Sequence, residues 1–182
     1  MLRLASEVFN VISDPIEARS RGVNHKNLLM VLEWKLKKMP VSETPKNPVP
    51  SSFFMEDTRS LELFQLALLI YLERVTGGSP RQSATIRVRI DRAFALFSQT
   101  KALHRQFPLL IIGCEARTDE ERMAVLDLIS RTDDHTGVCS LQRIKRIIQS
   151  LWAQDDLTER DLGYADKIKA VCSSNRILPS FT

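Results

Sequence analysis

Apolar residues recur every three or four positions over most of the chain. One stripe lies between residues 24 and 39 and consists of Leu28, Leu32, Leu36 and Met39. This spacing is that of one face of an α-helix, so we predict a helix over about 24–39 that Pro40 ends. A shorter helix is predicted over about 4–13, before Pro15.

The stretch from 40 to 52 lacks this periodicity. Four prolines fall within it, with serine, threonine and asparagine between them: Pro40, Pro45, Pro48 and Pro50. Such a composition is typical of an extended linker or a long surface loop. It predicts a division into N-terminal helices over 1–39, a linker or loop over 40–52 and a main helical domain over 53–182.

Two later segments are apolar on nearly every side. We predict a helix over about 60–76, central and buried because a helix without a polar face needs apolar neighbours all round. Gly77 is suited to cap its C-terminus. The second segment runs from Phe107 to Cys114. It has the length of a buried strand, but Pro108 in the first turn favours a buried helix.

Capping signals mark the starts of two further helices. The segment Ser79-Pro80-Arg81-Gln82 precedes an apolar face made of Ile86, Ile90, Ala93, Phe94 and Phe97. Arg81, Arg89 and Arg92 fall on the opposite face. A second capping box, 118–121, opens a helix whose core face includes Met123 and Leu126.

The C-terminal third continues the pattern. We predict a turn over 133–137, a helix over about 140–154 and a last helix from Thr158 to about Val171. No segment shows the strict alternation of a half-buried strand. The sequence therefore predicts an all-α fold, an irregular bundle of about seven or eight helices.

Composition adds few constraints. Hydrophobic residues make up 43% of the chain, charged residues 26%, and the net charge is +4. The most apolar stretch, 64–72, is about half of the ~20 residues that a membrane helix needs, and no signal peptide is evident. The three cysteines are far apart and form no disulfide framework. We expect a soluble protein of a reducing compartment.

Residues with reactive or ligating side chains give only weak signals. Catalytic and phosphate-binding motifs are absent from the sequence. The segment 133–135 (Asp-Asp-His) has metal-ligand chemistry, although a polar turn explains it better. Cys114 beside Glu115 could be a nucleophile beside a base, but cysteine in an apolar run is more often a core residue. We predict no catalytic residue, metal ligand or cofactor.

Basic residues cluster at two places. Arg143, Lys145 and Arg146, with Trp152 on the same predicted helix, could make weak contacts to nucleic acid or to a protein partner. Three cations on the outer side of a helix are more often simply solvated. The run 35–38 is a short and weak match to a nuclear localisation signal.

Four segments, in this order, resemble a known family. They are Leu63–Ala67 with Ile70–Val75, Phe107–Ala116, Thr118–Arg122 and Leu151–Asp156. Together they are similar to the C-terminal half of the regulatory region of fungal transcription factors that carry a binuclear zinc cluster. The resemblance covers about residues 54–160. Its main features are an aromatic-Pro-Leu run, a Gly-x-Glu-Ala pattern and a late tryptophan.

The resemblance implies an all-helical domain that regulates a linked DNA-binding module and is not an enzyme. In that family, six cysteines hold two zinc ions near the N-terminus. The three cysteines here lack that spacing, so the chain is expected to be without the DNA-binding module and to be a fragment, a truncated product or a standalone relative. A fragment should expose an apolar face that binds partners. The matched segments are expected to be structural, with Phe107, Ile111 and Trp152 in the core and Gly113 at a close helix contact.

The leading hypothesis is therefore a nuclear, non-catalytic transcription-regulatory domain that acts through protein contacts. A helical interaction scaffold unrelated to transcription is the first alternative, since the same apolar surfaces would serve it. An enzyme that uses Cys114 with His25 or His104 is the second. Direct sequence-specific DNA binding is not expected without the zinc cluster, and the oligomeric state is left open.

Overall fold

Helices account for all the regular structure that is described. A computed structural model describes residues 52–76, 84–103, 105–136 and 140–157, together with 30, 31, 33–35 and 38. The helices are α1 (Ser52–Thr76), α2 (Ala84–Gln99), α3 (Gln106–Cys114), α4 (Asp119–Thr136) and α5 (Ser140–Leu157). The described residues between 30 and 38 are also helical. The all-α prediction is confirmed for these ranges, while the count of seven or eight helices stays a prediction.

Helix α1 begins at Ser52, not near Ser60 as predicted. The reason is that no glycine or proline interrupts the chain between Pro50 and Gly77, so helix formation propagates back to the proline. The prediction that this helix is buried all round is confirmed. None of its side chains from Thr58 to Arg74 is exposed.

The short helix α3 forms the centre of the bundle. It is a helix, as Pro108 indicated, and its residues from Phe107 to Gly113 are all buried. It packs against α1, α4 and α5. The ring of Phe107 lies 5.6 Å from that of Phe64 and 6.1 Å from that of Tyr71. A helix this short contributes to the core mainly by burying its side chains on every side.

Ion pairs and carbonyl contacts fix the directions of the other helices. Arg59 donates to the carbonyl of Gln99, and Arg89 pairs with Glu73, so α1 and α2 are antiparallel. On the other flank of α2, Arg131 donates to the carbonyls of Phe97 and Thr100. These hydrogen bonds attach the C-terminal end of α2 to α4. They also supply donors to carbonyl groups at the end of a helix, which have no partner within the helix.

Of the arginines predicted on the face of α2 opposite its apolar residues, Arg92 is exposed, whereas Arg89 is largely buried. Arg89 is only 11% exposed and lies between Glu73 of α1 and Glu33, whose carboxylate is 3.6 Å away. The apolar face of this helix is confirmed, with Ile86, Ile90 and Phe97 buried. The capping segment 79–82, including Arg81, lies outside the described residues.

The predicted turn over 133–137 is wrong for its first four residues, because α4 continues to Thr136. Two contacts hold this end helical. The buried hydroxyl of Thr132 donates to the carbonyl of Leu128 and accepts from the amide of Leu103. The carboxylate of Asp133 accepts a hydrogen bond from Gln142 of α5 at 2.6 Å. Helix α5 likewise extends to Leu157, beyond the predicted end near 154.

Several predictions fall outside the described residues. These are the helix over 4–13, most of the loop over 40–52, the cap at Gly77 and the helix from Thr158. The proposed division at 39 and 53 therefore stays a prediction. Among the described helices, none combines the length and apolarity required to span a bilayer.

Candidate functional site

A buried ion pair joins the ends of α1 and α3. Arg74 lies in the last turns of α1, and Glu115 follows α3 directly. Because α1 and α3 run in the same direction, their ends meet. Arg74 donates from Nε to Glu115 Oε1 at 2.9 Å and from Nη2 to Oε2 at 2.7 Å. The side chains are only 7% and 4% exposed. This bidentate geometry compensates both charges within the core.

This pair bears on the alternative of an enzyme that uses Cys114. Both oxygens of Glu115 accept hydrogen bonds from Arg74, so the carboxylate has a structural role. Cys114 is half-buried and packed against the core cluster. His25 and His104 lie outside the described residues. Within the described ranges, no three His, Cys, Asp or Glu side chains are grouped to hold a metal ion.

Gly113 brings α3 and α5 into close contact. A Cβ atom placed on Gly113 would lie 2.7 Å from Ile148 Cδ1 and 3.2 Å from its Cγ1. Ile148 is fully buried, so it has no free space into which to move. Trp152 Nε1 also donates a hydrogen bond to the Gly113 carbonyl at 2.8 Å. The predicted close contact at Gly113 is confirmed, as is the burial of Phe107, Ile111 and Trp152.

Polar bridges at both ends hold α4 and α5 antiparallel. Arg122, near the start of α4, donates to both carboxylate oxygens of Asp156 at 2.9 and 2.7 Å. Its guanidinium carbon also lies 5.5 Å from the centre of the Trp152 ring. At the opposite end, Gln142 donates to Asp133. These contacts fix the surface that α4 and α5 present together.

The capping box at the start of α4 is confirmed and extended. The amide of Glu121 donates to Thr118 Oγ1 at 3.2 Å, and Glu121 Oε2 accepts from the amides of Thr118 and Arg117. Arg87 of α2 donates to Glu121 Oε1 at 2.7 Å. Burial raises the pKa of Glu121, but these hydrogen bonds outweigh it and hold that pKa below the ordinary value of 4.5.

A pH-dependent contribution to stability follows from Glu121. The pKa of Glu121 is lower in the folded state than in the unfolded state, so the ionised carboxylate stabilises the fold at pH values above the unfolded-state pKa. This stabilisation is lost as the pH falls through the folded-state pKa. We expect Glu121→Gln to lower the free energy of unfolding by about 1 kcal/mol at neutral pH. Urea titrations should show the gap to the wild type closing below pH 4.5. The matched control Asp134→Asn, at an exposed carboxylate of α4, should change little, and a gap independent of pH would contradict this assignment.

The predicted basic residues lie on the outer side of α5. Arg143 and Arg146 are exposed, and Lys145 is half-buried. Trp152, which we grouped with them, is instead 6% exposed and faces α3. The structure therefore does not bring the Trp152 ring to these cations. They form a small exposed basic patch near the start of α5.

Large apolar side chains are exposed at a few positions, of which two sets stand out. Among the helical residues described between 30 and 38, Met30, Val31 and Trp34 are exposed. Lys38 Nζ lies 4.6 Å from the centre of the Trp34 ring. We call these residues, together with the exposed Lys35, the Trp34 patch. On α4, Met123 is 63% exposed among carboxylates. Exposed aromatic and methionine side chains among charged ones are typical of protein-contact surfaces.

The described helices form an all-α bundle with internal ion pairs and a few exposed apolar side chains. The family model described as fungal specific transcription factor domain matches residues 1–176. The chain therefore belongs to this family, and the resemblance noted in its sequence is confirmed. The match extends beyond residues 54–160, which the resemblance covered. Membership supports a role in transcriptional regulation.

One curated relative is similar along the whole chain. It is the transcription factor iacI of Pestalotiopsis fici, 36% identical over 184 residues, which cover 100% of this chain and 46% of the relative. The chain thus spans a little under half of that protein's length. No solved structure matches the chain.

Proposed function

We propose that this chain is a non-catalytic regulatory domain that acts in the nucleus through contacts with other proteins and does not itself read DNA sequence. Family membership supports the transcriptional part of this proposal. The observation that carries the mechanism is the exposure of Trp34, which is 57% accessible on a described helix. An exposed tryptophan side chain lacks the large favourable free energy that its burial would give. Tryptophan is also enriched among the residues that contribute most to binding at protein interfaces.

Several charged side chains have a structural role. Arg74 and Glu115 neutralise each other in the core, and Arg122, Arg131 and Glu121 tie helices together. These residues make the bundle a rigid support for its outer faces. The basic patch of Arg143, Lys145 and Arg146 is proposed as a secondary contact for a partner, with at most weak attraction to nucleic acid.

Binding to duplex DNA of mixed sequence tests whether the chain reads DNA itself. We expect weak binding or none at low salt, abolished at about 200 mM salt, because a few surface cations release few counterions. Arg143→Glu with Arg146→Glu should remove the residual binding. The matched control is Arg92→Glu, since this arginine of α2 is also exposed but pairs with Glu62. Tight binding that depends on sequence and survives salt would overturn the proposal.

A scaffold unrelated to transcription would use the same exposed apolar surfaces. Family membership favours the regulatory alternative. The two differ in whether the chain changes transcription when it is brought to a promoter.

A further inference from the structure

The arginines of the basic patch on α5 differ from every other arginine that the structure describes. Within the described part of the chain, the side chains of Arg143, Lys145 and Arg146 make no hydrogen bond, ion pair or ring contact. Each other arginine of that part has at least one such partner, even Arg87 and Arg92, which are about half exposed. Exposure alone therefore does not explain why the arginines of α5 are unpaired.

The start of α5 is also an unfavourable place for positive charge. Cations near the N-terminus of a helix oppose its dipole, and α5 has no acidic residue in its first turn. No carboxylate lies three or four residues from any of the three cations, the steps at which side chains of one helix can pair. Asp133, at the end of α4, accepts a hydrogen bond from Gln142 instead. The described helices therefore leave the charge of the patch uncompensated.

The chemistry of the patch suits carboxylates. Arg143 and Arg146 are both exposed and lie about 4.5 Å apart along the helix axis, with the half-buried Lys145 beside Arg146. A guanidinium group presents paired N–H donors that match the two oxygens of a carboxylate. The patch can therefore take two or three carboxylates that follow one another closely.

The small extent of the patch favours a protein segment over nucleic acid. Asp155 and Asp156 lie at the other end of α5, about 14 Å from Arg146 at the rise of an α-helix. A DNA duplex carries one negative charge per about 1.7 Å of its axis, so a duplex along α5 would also bring phosphates to these carboxylates. An acidic protein segment can instead confine its negative charge to a few residues.

We propose that the basic patch of α5 binds a short acidic segment of another protein. The carboxylates of that segment pair with Arg143 and Arg146, and Lys145 adds to the positive potential. The occupant is identified by charge complementarity, because three unpaired cations lie together where the fold supplies no anion. The contact is small, so the affinity is low and depends strongly on salt.

This inference rests on the proposed function, in which the chain acts through protein contacts, and it names the chemistry of one partner. Peptide binding by the purified chain and transcription from a promoter-tethered chain are separate measurements. A chain that binds the peptide but leaves transcription unchanged would contradict only the proposed function. A chain that changes transcription without binding the peptide would contradict only this inference.

Fluorescence anisotropy of a labelled peptide with the full chain tests the proposal. The probe is a peptide of about 12 residues with a central run of about six aspartates, and the reference peptide has asparagine in their place. We expect the aspartate peptide to bind at about 30 mM salt and to be released at about 300 mM, and the asparagine peptide not to bind. Arg143→Gln with Arg146→Gln should weaken binding at least about tenfold.

The matched control removes two positive charges elsewhere on the surface. Arg92→Gln with Lys101→Gln changes exposed residues in and after α2 and should leave peptide binding within about twofold. Thermal unfolding shows that both variants are folded. An equal loss in the two variants would mean that only net charge matters, and it would overturn the proposal. So would a wild type that does not bind, or a DNA duplex of similar charge that displaces the labelled peptide better than the unlabelled peptide does.

Discussion

Replacing Arg74 by methionine should destabilise the domain more than any other single charge change in its described part. The substitution leaves the Glu115 carboxylate 4% exposed and without its bidentate partner. Breaking a buried pair from one side costs about 3–5 kcal/mol because the remaining charge is uncompensated. In a chain of this size the midpoint of thermal unfolding should fall by roughly 10 °C.

Two further variants isolate the cause. Arg74→Met combined with Glu115→Leu removes both charges and should recover much of the lost stability, since apolar residues of similar volume often replace a buried pair at little cost. Arg92→Met breaks the exposed pair with Glu62 and should cost at most about 1 kcal/mol. If the double variant were as unstable as Arg74→Met alone, the loss would come from packing and not from the orphaned carboxylate.

Replacing Trp152 by alanine should have an effect of similar size. Trp152 is 6% exposed, contacts the core, stacks with Arg122 and donates to the Gly113 carbonyl. Removing a buried aromatic side chain costs about 3–5 kcal/mol. Trp152→Phe keeps most of the ring and should cost about 1 kcal/mol for the lost hydrogen bond. Urea unfolding curves give both values.

The other tryptophan supplies the matched control. Trp34→Ala should change the free energy of unfolding by less than about 0.5 kcal/mol, because Trp34 is 57% exposed. A comparable loss in Trp34→Ala and Trp152→Ala would contradict the assignment of one ring to the surface and the other to the core.

Local signals in the sequence predicted much of the fold. The capping box at 118–121 and the proline at 108 act through neighbouring backbone groups, so short stretches of sequence were enough to predict a helix at each position. Apolar periodicity likewise predicted the buried faces of α1 and α2. The continuation of α4 to Thr136 was missed because Thr132 and Asp133 are held by Leu103 and Gln142, from other parts of the chain.

The buried ion pair and the exposure of individual side chains were harder to predict. Arg74 and Glu115 both lie in the segments that carried the family resemblance, yet nothing local says that residues so far apart pair. Sequence grouped Trp152 with Arg143 and Arg146, whereas the helix turns the ring into the core. Exposure of Trp34 and Met123 depends on which faces the neighbouring helices cover, and periodicity alone wrongly placed Met123 on the core face.

Tethering the chain to a promoter tests the central claim most directly. The full chain would be fused to an unrelated DNA-binding module, with Arg74→Met as an unstable control and Trp34→Ala as a folded surface variant. We expect reporter transcription to change relative to the module alone, and Trp34→Ala to reduce that change while the protein remains folded and abundant. A fusion that is folded and abundant but leaves transcription at the level of the module alone would contradict the account.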